Sequence, residues 1–385
     1  MLFNAGDRLM TSGDMECSRF TGTLATWEVW LYKEMLDNRP DAIVLFGSNR
    51  PAHVAARRIA KDFGITLISL EEGYLRSGYI TCEVGGNNQH SPFMHWTPGN
   101  YLSRFMQPIE DRLPVSGSAF IKMRFWAALY YLARDIFSDT SDEFLFHRKR
   151  EHLLTLSRKW ITHVVVRSAA QVFESAKRRM LSRNPGYILV PLQVSSDSQL
   201  QLAARGWNTP RLINSALRAL ADAKCDQKIV FKLHPLGLDR RAIKTLVRAK
   251  ARELGLDHRR VVVLQTGRMS DLARQSSGMI VINSTSAYSA LHHGKPVLVL
   301  GDAVYRNEHV ATLGNSDADV ASFLEARKCK PQSNIESFLA DLKSECLLPG
   351  DFYFFNGRQT AVEGIVDKLT QLMELKACPR SEAYG

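Results

Sequence analysis

No stretch of this 385-residue chain holds the roughly 18 consecutive apolar residues that a membrane-spanning helix needs. The start, MLFNAGDRLMTSGDME, lacks the basic and apolar regions of a secretory leader, so a cytosolic protein is expected. Cysteine is sparse and scattered: Cys17, Cys82, Cys225, Cys329, Cys346 and Cys378 form no CxxC pair. That spacing excludes a zinc-ribbon pattern and a disulfide framework, and fits reduced thiols. Internal repeats and low-complexity tracts are absent. Acidic residues are the minority charge, 39 against 50 Lys and Arg, which leaves a formal net charge of +11. Such a balance suits an anionic partner, whether nucleic acid, an acidic membrane surface or a small anion. No nucleic-acid-binding module is recognisable, so nucleic acid is not expected as a partner.

The length and the apolar share, 45%, are those of a globular protein of two domains. A helical pattern runs over 14–36. DAIVLF then reads as a buried strand entering the glycine turn of FGSNRP, AHVAARRIAKDFG as a helix stopped by Gly64, and ITLISL as a second strand. Strand, helix and strand within about 30 residues make a βαβ unit with a parallel sheet. A basic, aromatic helical stretch covers 118–183, and Asn184–Pro185–Gly186 breaks it. Beyond lie the strands YILVPLQV, KIVFKLHP, RVVVLQ, GMIVIN and KPVLVL, with helices between them; Thr209 is the expected N-cap of one. The expected architecture is α/β: two Rossmann-like domains facing a cleft, GT-B-like. The first covers 1–184 on the acceptor side, the second 185–350 on the nucleotide-sugar side, and a helix and tail occupy 351–385.

Ligands in such sheets gather outside the carboxyl ends of the strands. Four groups sit at those ends. Lys232 and His234 stand two apart, so on a strand both point the same way, to hold a phosphate and protonate a leaving oxygen; a merely polar strand end is the other reading. Asn283, Ser284, Thr285 and Ser286 lead into a helix, where hydroxyls and unused N–H groups suit an anion; a plain N-cap is the alternative. Gln193, Ser195, Ser196 and Asp197 form either a loop or a ligand contact. Glu71 and Glu72 close a strand, followed by Arg76, Thr81 and Glu83. Arg76 would hold a carboxylate ionised, as a nucleophile requires, although the pair taken alone is better explained by a solvated turn. Asp317–Ala318–Asp319 reads as an acidic helix start rather than a metal motif, and His292–His293 as the end of a helix.

Seven stretches, in order, resemble one family: LFGSNRPAH (45–53), EEGYLRSGYITCE (71–83), FLFHRKRE (144–151), VPLQVSSDSQ (190–199), KLHP (232–235), NSTSAYSALHHGKPVLVLG (283–301) and GDFYFFNGRQ (350–359). The family is that of the capsule polysaccharide biosynthesis proteins of KpsS/LipB type. The resemblance implies a retaining β-Kdo glycosyltransferase that moves Kdo from CMP-Kdo to a phosphatidylglycerol-type lipid at the cytoplasmic membrane face, with no cofactor and no metal. It places His234 and Pro235 at the CMP phosphate, Ser284, Thr285 and Ser286 on the nucleotide, and Glu71, Glu72 and Glu83 in the acidic region on the acceptor side. Arg50, Arg76, Gln193, Asp197, Lys232 and Asn283 complete the expected substrate contacts, and Glu71, Glu72, Glu83 and His234 the catalytic set. Expected partners are the CMP-sugar, the anionic phospholipid, the membrane surface beside 118–183, and capsule assembly or export proteins. Alternatives are a different CMP-nonulosonate or acceptor, or a non-catalytic assembly partner. One departure stands out: Ser48 occupies a place where the resemblance leads us to expect aspartate.

Overall fold

A computed structural model describes residues 1–11, 16–75, 78–99, 119–137, 173–194, 200, 202–223, 226–235, 237 and 239–377. These residues fall into two units. Arg76, Ser195, Ser196, Asp197, FLFHRKRE and most of the basic stretch lie outside the described residues.

The first unit opens with α1 (Ala5–Leu9) and α2 (Leu24–Asn38), followed by β1 (Ala42–Phe46), α3 (Pro51–Asp62), β2 (Thr66–Glu72), β3 (Tyr79–Val84) and α4 (Ala119–Phe137). Helix α2 begins at Thr23, whose side chain accepts the Thr26 N–H, while Thr26 caps Thr23 in return. Pro51 opens α3 at a position where no N–H is needed, and Gly64 closes it with φ +64°. β1 and β2 pair in parallel, as the βαβ reading requires.

β3 differs from expectation. The chain turns back after Glu72, and β3 runs antiparallel to β2 with Glu71 opposite Thr81 and Ser69 opposite Glu83. Gly73 makes that turn possible, because a Cβ there would lie 2.4 Å from the Tyr79 carbonyl oxygen. Thr81 and Glu83 therefore belong to a neighbouring strand rather than to a loop beyond the strand end.

The second unit contains α5 (Ser175–Arg183), β4 (Tyr187–Pro191), α6 (Thr209–Asp222), β5 (Ile229–Lys232), α7 (Arg240–Glu253), β6 (Val261–Leu264), α8 (Met269–Gln275) and β7 (Ser276–Val281). It continues through α9 (Ala287–His292), β8 (Val297–Val299), β9 (Thr312–Leu313), α10 (Asp317–Glu325) and most of α11 (Gln332–Cys346). All its strand pairs are parallel, in the order β6-β5-β4-β7-β8-β9. Strand order reverses between β4 and β7, as in a doubly wound nucleotide-binding sheet. Ile188, Val190, Phe231, Ile280 and Leu298 are sealed in its core with Leu212, Ile213 and Leu217 of α6. The N-cap of α6 is Asn208, one residue before the expected Thr209, because the Asn208 carboxamide oxygen accepts the Arg211 N–H at 2.9 Å. Asp317 and Asp319 do open a helix: Asp319 Oδ2 accepts the Asn315 and Ser316 N–H groups at 2.8 Å.

The chain then returns to the first unit. β10 (Leu347–Pro349) pairs antiparallel with β3, and α12 (Phe355–Ala377) covers the sheet. One face of the sheet packs Leu67 against α2 and α3; the other packs Ile68, Ile80 and Cys82 against Leu348 and Ala361. Residues 342–377 thus group with the N-terminal residues, and α5 groups with the second unit, although the sequence break at 184–186 suggested a single cut there. Among the described residues no helix is long and apolar enough to cross a membrane.

Candidate functional site

The three glutamates have three different surroundings. Side chains alternate across a strand, so Glu71 and Glu72 emerge on opposite faces of the sheet. Glu71 lies on the α3 side, half-buried, where its Oε2 accepts the carboxamides of Asn87 at 3.0 Å and Asn88 at 2.5 Å. Glu72 lies on the α12 side and accepts the Tyr353 hydroxyl at 2.8 Å. Glu83 is 3% exposed, with the Tyr74 hydroxyl donating to Oε1 at 2.5 Å and the Ser91 hydroxyl donating to Oε2. Burial pushes its carboxyl up to about 7, against the opposing pull of Ser91, Tyr74, Cys346 and Lys368. The sequence grouped Glu83 with the catalytic candidates. The structure corrects this: a sealed carboxyl with both oxygens bonded cannot touch a substrate.

Glu83 instead anchors a turn. Tyr74, held by Glu83, accepts the backbone N–H of Asn88 at 2.6 Å, and Asn88 sits in the left-handed region with φ 54°. This fixes the 87–88 pair whose amides converge on Glu71. Ser48 holds the same turn from the other side. It is 2% exposed, donates its hydroxyl to Asn87 Oδ1, and accepts the Asn87 N–H at 2.9 Å. Its role here is to orient Asn87, which a serine hydroxyl performs as both donor and acceptor. His53 steadies the segment before it, donating Nδ1–H to the Gly47 carbonyl at 2.9 Å. Burial and the nearby Arg50 charge lower that imidazole to about 4, so it is neutral at pH 7. Arg50, the N-cap of α3, packs its guanidinium 5.8 Å from the Phe46 ring centroid.

The second unit gathers the other expected residues at the carboxyl ends of β4, β5 and β7. Gln193 follows β4 and Asn283 follows β7, across the strand-order reversal; the Gln193 amide donates to Asn283 Oδ1 at 2.9 Å. Ser284, Thr285 and Ser286 come next, half-buried, with the Ser284 carbonyl accepting the buried Tyr305 hydroxyl at 2.7 Å. The N–H groups expected to be unused are not: those of Ala287, Tyr288 and Ser289 donate to the carbonyls of Ser284, Thr285 and Ser286. Those helix-start amides are therefore already bonded within the turn.

Lys232 and His234 differ in burial. β5 ends at Lys232, which is 4% exposed and donates its ammonium to the Leu233 carbonyl at 3.1 Å and the Gln265 carbonyl at 2.9 Å. It ties β5 to β6. His234 is half-buried beyond the strand, level with Gln193 by continuation of the Pro191–Lys232 register. The Pro235 carbonyl accepts Arg240 Nη2 at 2.5 Å. His234, Gln193 and Asn283 thus end three adjacent strands, in the arrangement that binds nucleotides in doubly wound sheets. Among the described residues no cluster of three His, Cys, Asp or Glu side chains is placed to hold a metal ion.

The residues that sequence reasoning missed are Asn87, Asn88, Tyr74, Ser91 and His53. A signal for the turn existed in Gly85–Gly86–Asn87–Asn88, whose residues tolerate unusual backbone angles.

The fold and these strand-end sites define an α/β protein with a nucleotide-type sheet in its second unit. Residues 41–353 match the capsule polysaccharide biosynthesis protein family, and the chain belongs to it. It is 29% identical over 313 residues to the capsule polysaccharide export protein KpsS of Escherichia coli, covering 79% of this chain and 78% of the relative. It is 30% identical over 323 residues to the capsule polysaccharide modification protein LipB of Neisseria meningitidis serogroup B, covering 79% and 74%. Among solved structures it is similar to KpsC of Thermosulfurimonas dismutans, a beta Kdo 2,7 transferase, at 14% identity and TM-score 0.41 over 90% of this chain and 89% of that one. That distant likeness bears on neither substrate nor mechanism.

Proposed function

We propose that the chain is a capsule glycosyltransferase that moves Kdo from CMP-Kdo to a phosphatidylglycerol-type lipid, with retention of anomeric configuration. The observation that carries this reading is Glu71, a strand-end carboxylate held by two carboxamides and turned to the opposite face of the sheet from Glu72. A retaining transfer by double displacement needs one positioned carboxylate that attacks the anomeric carbon and later leaves it. Amide donors on one oxygen fix the side chain without protonating it. CMP departs as the donor bond breaks, and the acceptor hydroxyl then displaces the glutamate, which leaves as carboxylate while the hydroxyl proton passes to solvent. Gln193, Asn283 and the hydroxyls of Ser284, Thr285 and Ser286 hold the nucleotide at the switch point, and His234 serves the phosphate. Glu72 and Lys232 support structure.

Family membership supports the pathway, and the resemblance supplies the donor and the acceptor. A lipid acceptor also agrees with α4, which leaves Phe125 57%, Trp126 41% and Phe137 74% exposed. Binding to anionic liposomes at two salt levels checks that contact: retention that weakens with salt supports it, and no binding at either level removes it.

The deciding experiment incubates the protein with CMP-Kdo and short-chain phosphatidylglycerol and weighs the lipid by mass spectrometry. A gain of one Kdo is expected. CMP binding without any product would favour a non-catalytic assembly or export partner.

A further inference from the structure

The first unit holds a second polar cluster that the reaction above does not use. Arg50, His53 and Arg57 are spaced three and four apart, so they lie along one side of α3. Against this side sits the 3₁₀ turn Asn88–His90. Gln89 Nε2 donates to Asn49 Oδ1 at 3.3 Å and lies 2.9 Å from His90 Nε2. The Arg57 charge helps hold the His90 imidazole down at about 4, behind the larger effect of burial. Asn49, Gln89 and His90 therefore adjoin, with the Arg57 charge near enough to act on His90.

Two donors in this cluster are unused. Asn49 is 8% exposed, yet its Nδ2 is enclosed without a hydrogen-bond partner, and so are Arg57 Nη1 and, on the acceptor side, Gln89 Oε1. Arg57 takes part in none of the ion pairs among the described residues. The Glu28 carboxylate pairs with Arg58 at 2.7 Å, and Glu71 accepts from Asn87 and Asn88. An enclosed guanidinium nitrogen with no paired acid is costly, and a neutral amide oxygen such as Gln89 Oε1 does not balance its charge; proteins keep such groups where something else supplies it. Neutral imidazoles on both sides add no negative charge.

We infer that Asn49 and Arg57, backed by His90 and Gln89, form an oxyanion subsite in the first unit that receives a phosphate or carboxylate group of a substrate. Arginine suits either through its planar fork, and the asparagine amide adds a neutral donor. The assignment of that group to a substrate rests on the proposed transfer, in which the acceptor brings a phosphodiester and the sugar a carboxylate. The subsite itself does not depend on turnover.

The test measures anion binding and melting temperature without any transfer assay. The wild type is titrated with inorganic phosphate, with acetate and with chloride at matched ionic strength, beside Arg57→Gln and Arg58→Gln. Binding of phosphate or acetate above chloride is expected, weakened about tenfold by Arg57→Gln and unchanged by Arg58→Gln. The difference between the wild type and Arg57→Gln isolates this subsite from any phosphate held by the second unit. Phosphate favoured over acetate assigns the subsite to a phosphoryl group, and the reverse order to a sugar acid. Without anions, Arg57→Gln is expected to melt at or above the wild type, because an uncompensated donor is removed. Equal anion binding by the wild type and Arg57→Gln, or a lower melting point of the anion-free variant, overturns the proposal. Because neither readout needs catalysis, a failed transfer assay leaves this result to be judged separately.

Discussion

The two sheets present polar strand ends in different ways. In the second unit every strand pair is parallel, so the carboxyl ends fall on one edge, and Gln193, His234 and Asn283 arrive there together by topology. In the first unit β2 is followed by a hairpin, and the carboxylates are sorted by face instead of by edge. Glu71 goes to one face, Glu72 to the other, and Glu83 beneath the turn. Parallel topology collects ligand-binding groups; in the first unit the strand period separates Glu71 from Glu72, and the antiparallel return brings Glu83 onto the Glu71 face. It also lets one of them, Glu83, support the residues that hold another.

The largest expected effect breaks this sorting at its reacting member. Glu71→Gln should lower transfer by a factor of at least about 10³, since a carboxamide cannot serve as the nucleophile, while Glu72→Gln should keep most of it. Product formation measured by mass spectrometry on the two variants checks the contrast. A comparable loss in both would mean that the two faces are not functionally distinct.

Next in size is the anchor. Glu83→Ala should destabilise the first unit by about 2–4 kcal/mol, because it opens a void and strands the Tyr74 and Ser91 hydroxyls. Glu83→Gln should be tolerated, as a carboxamide both accepts and donates. The same residue predicts a pH dependence. Its carboxyl titrates at about 7 when folded against 4.5 in the open chain, so the folded state holds the proton more tightly. The stability linked to this group is therefore fully present below about 4.5 and is lost as pH rises through about 7, by about 3 kcal/mol in all. Denaturant unfolding of the wild type and Glu83→Gln from pH 4 to 8 checks it: the difference between them should shift toward the variant as pH rises.

A smaller effect belongs to the hydroxyl loop. Ser284→Ala or Thr285→Ala should weaken CMP binding by about 1 kcal/mol each, the worth of a single hydrogen bond, with no loss of fold. Titration calorimetry with CMP reads this. An effect of Gln193→Ala on the same titration would sharpen the assignment to the switch point. The smallest change is expected at Ser48. Ser48→Ala should cost about 1–2 kcal/mol in thermal stability and reduce transfer only through the loosened Asn87, so CMP affinity stays unchanged.

Much of this architecture was legible in the sequence. Buried runs such as ILV in YILVP and IVF in KIVFK mark the strands of the second sheet, and the helices between them imply parallel pairing; the observed strands β4 and β5 follow. β3 was not legible as a strand in its own right, because YITCEV carries both polar and apolar residues on a sheet covered on both sides. Its register depends on the turn at Gly73 and on pairing with β10, more than 260 residues away in sequence. The same holds for the carboxylates. Sequence places Glu71, Glu72 and Glu83 in one motif, but their burial is set by Asn88, Tyr353 and Ser91, contacts that no local pattern announces. The surroundings of Lys232 were not legible for a related reason: its ammonium is held by the Leu233 and Gln265 carbonyls, the second of them 33 residues away.

The most direct measurement of the central claim is the covalent state of the first unit during turnover. Protein mixed with CMP-Kdo and no acceptor, quenched in acid and digested, should yield a peptide containing Glu71 that carries one Kdo mass, absent from Glu71→Gln and present in Glu72→Gln. An adduct on a peptide without Glu71, or an adduct that survives in Glu71→Gln, would contradict the account.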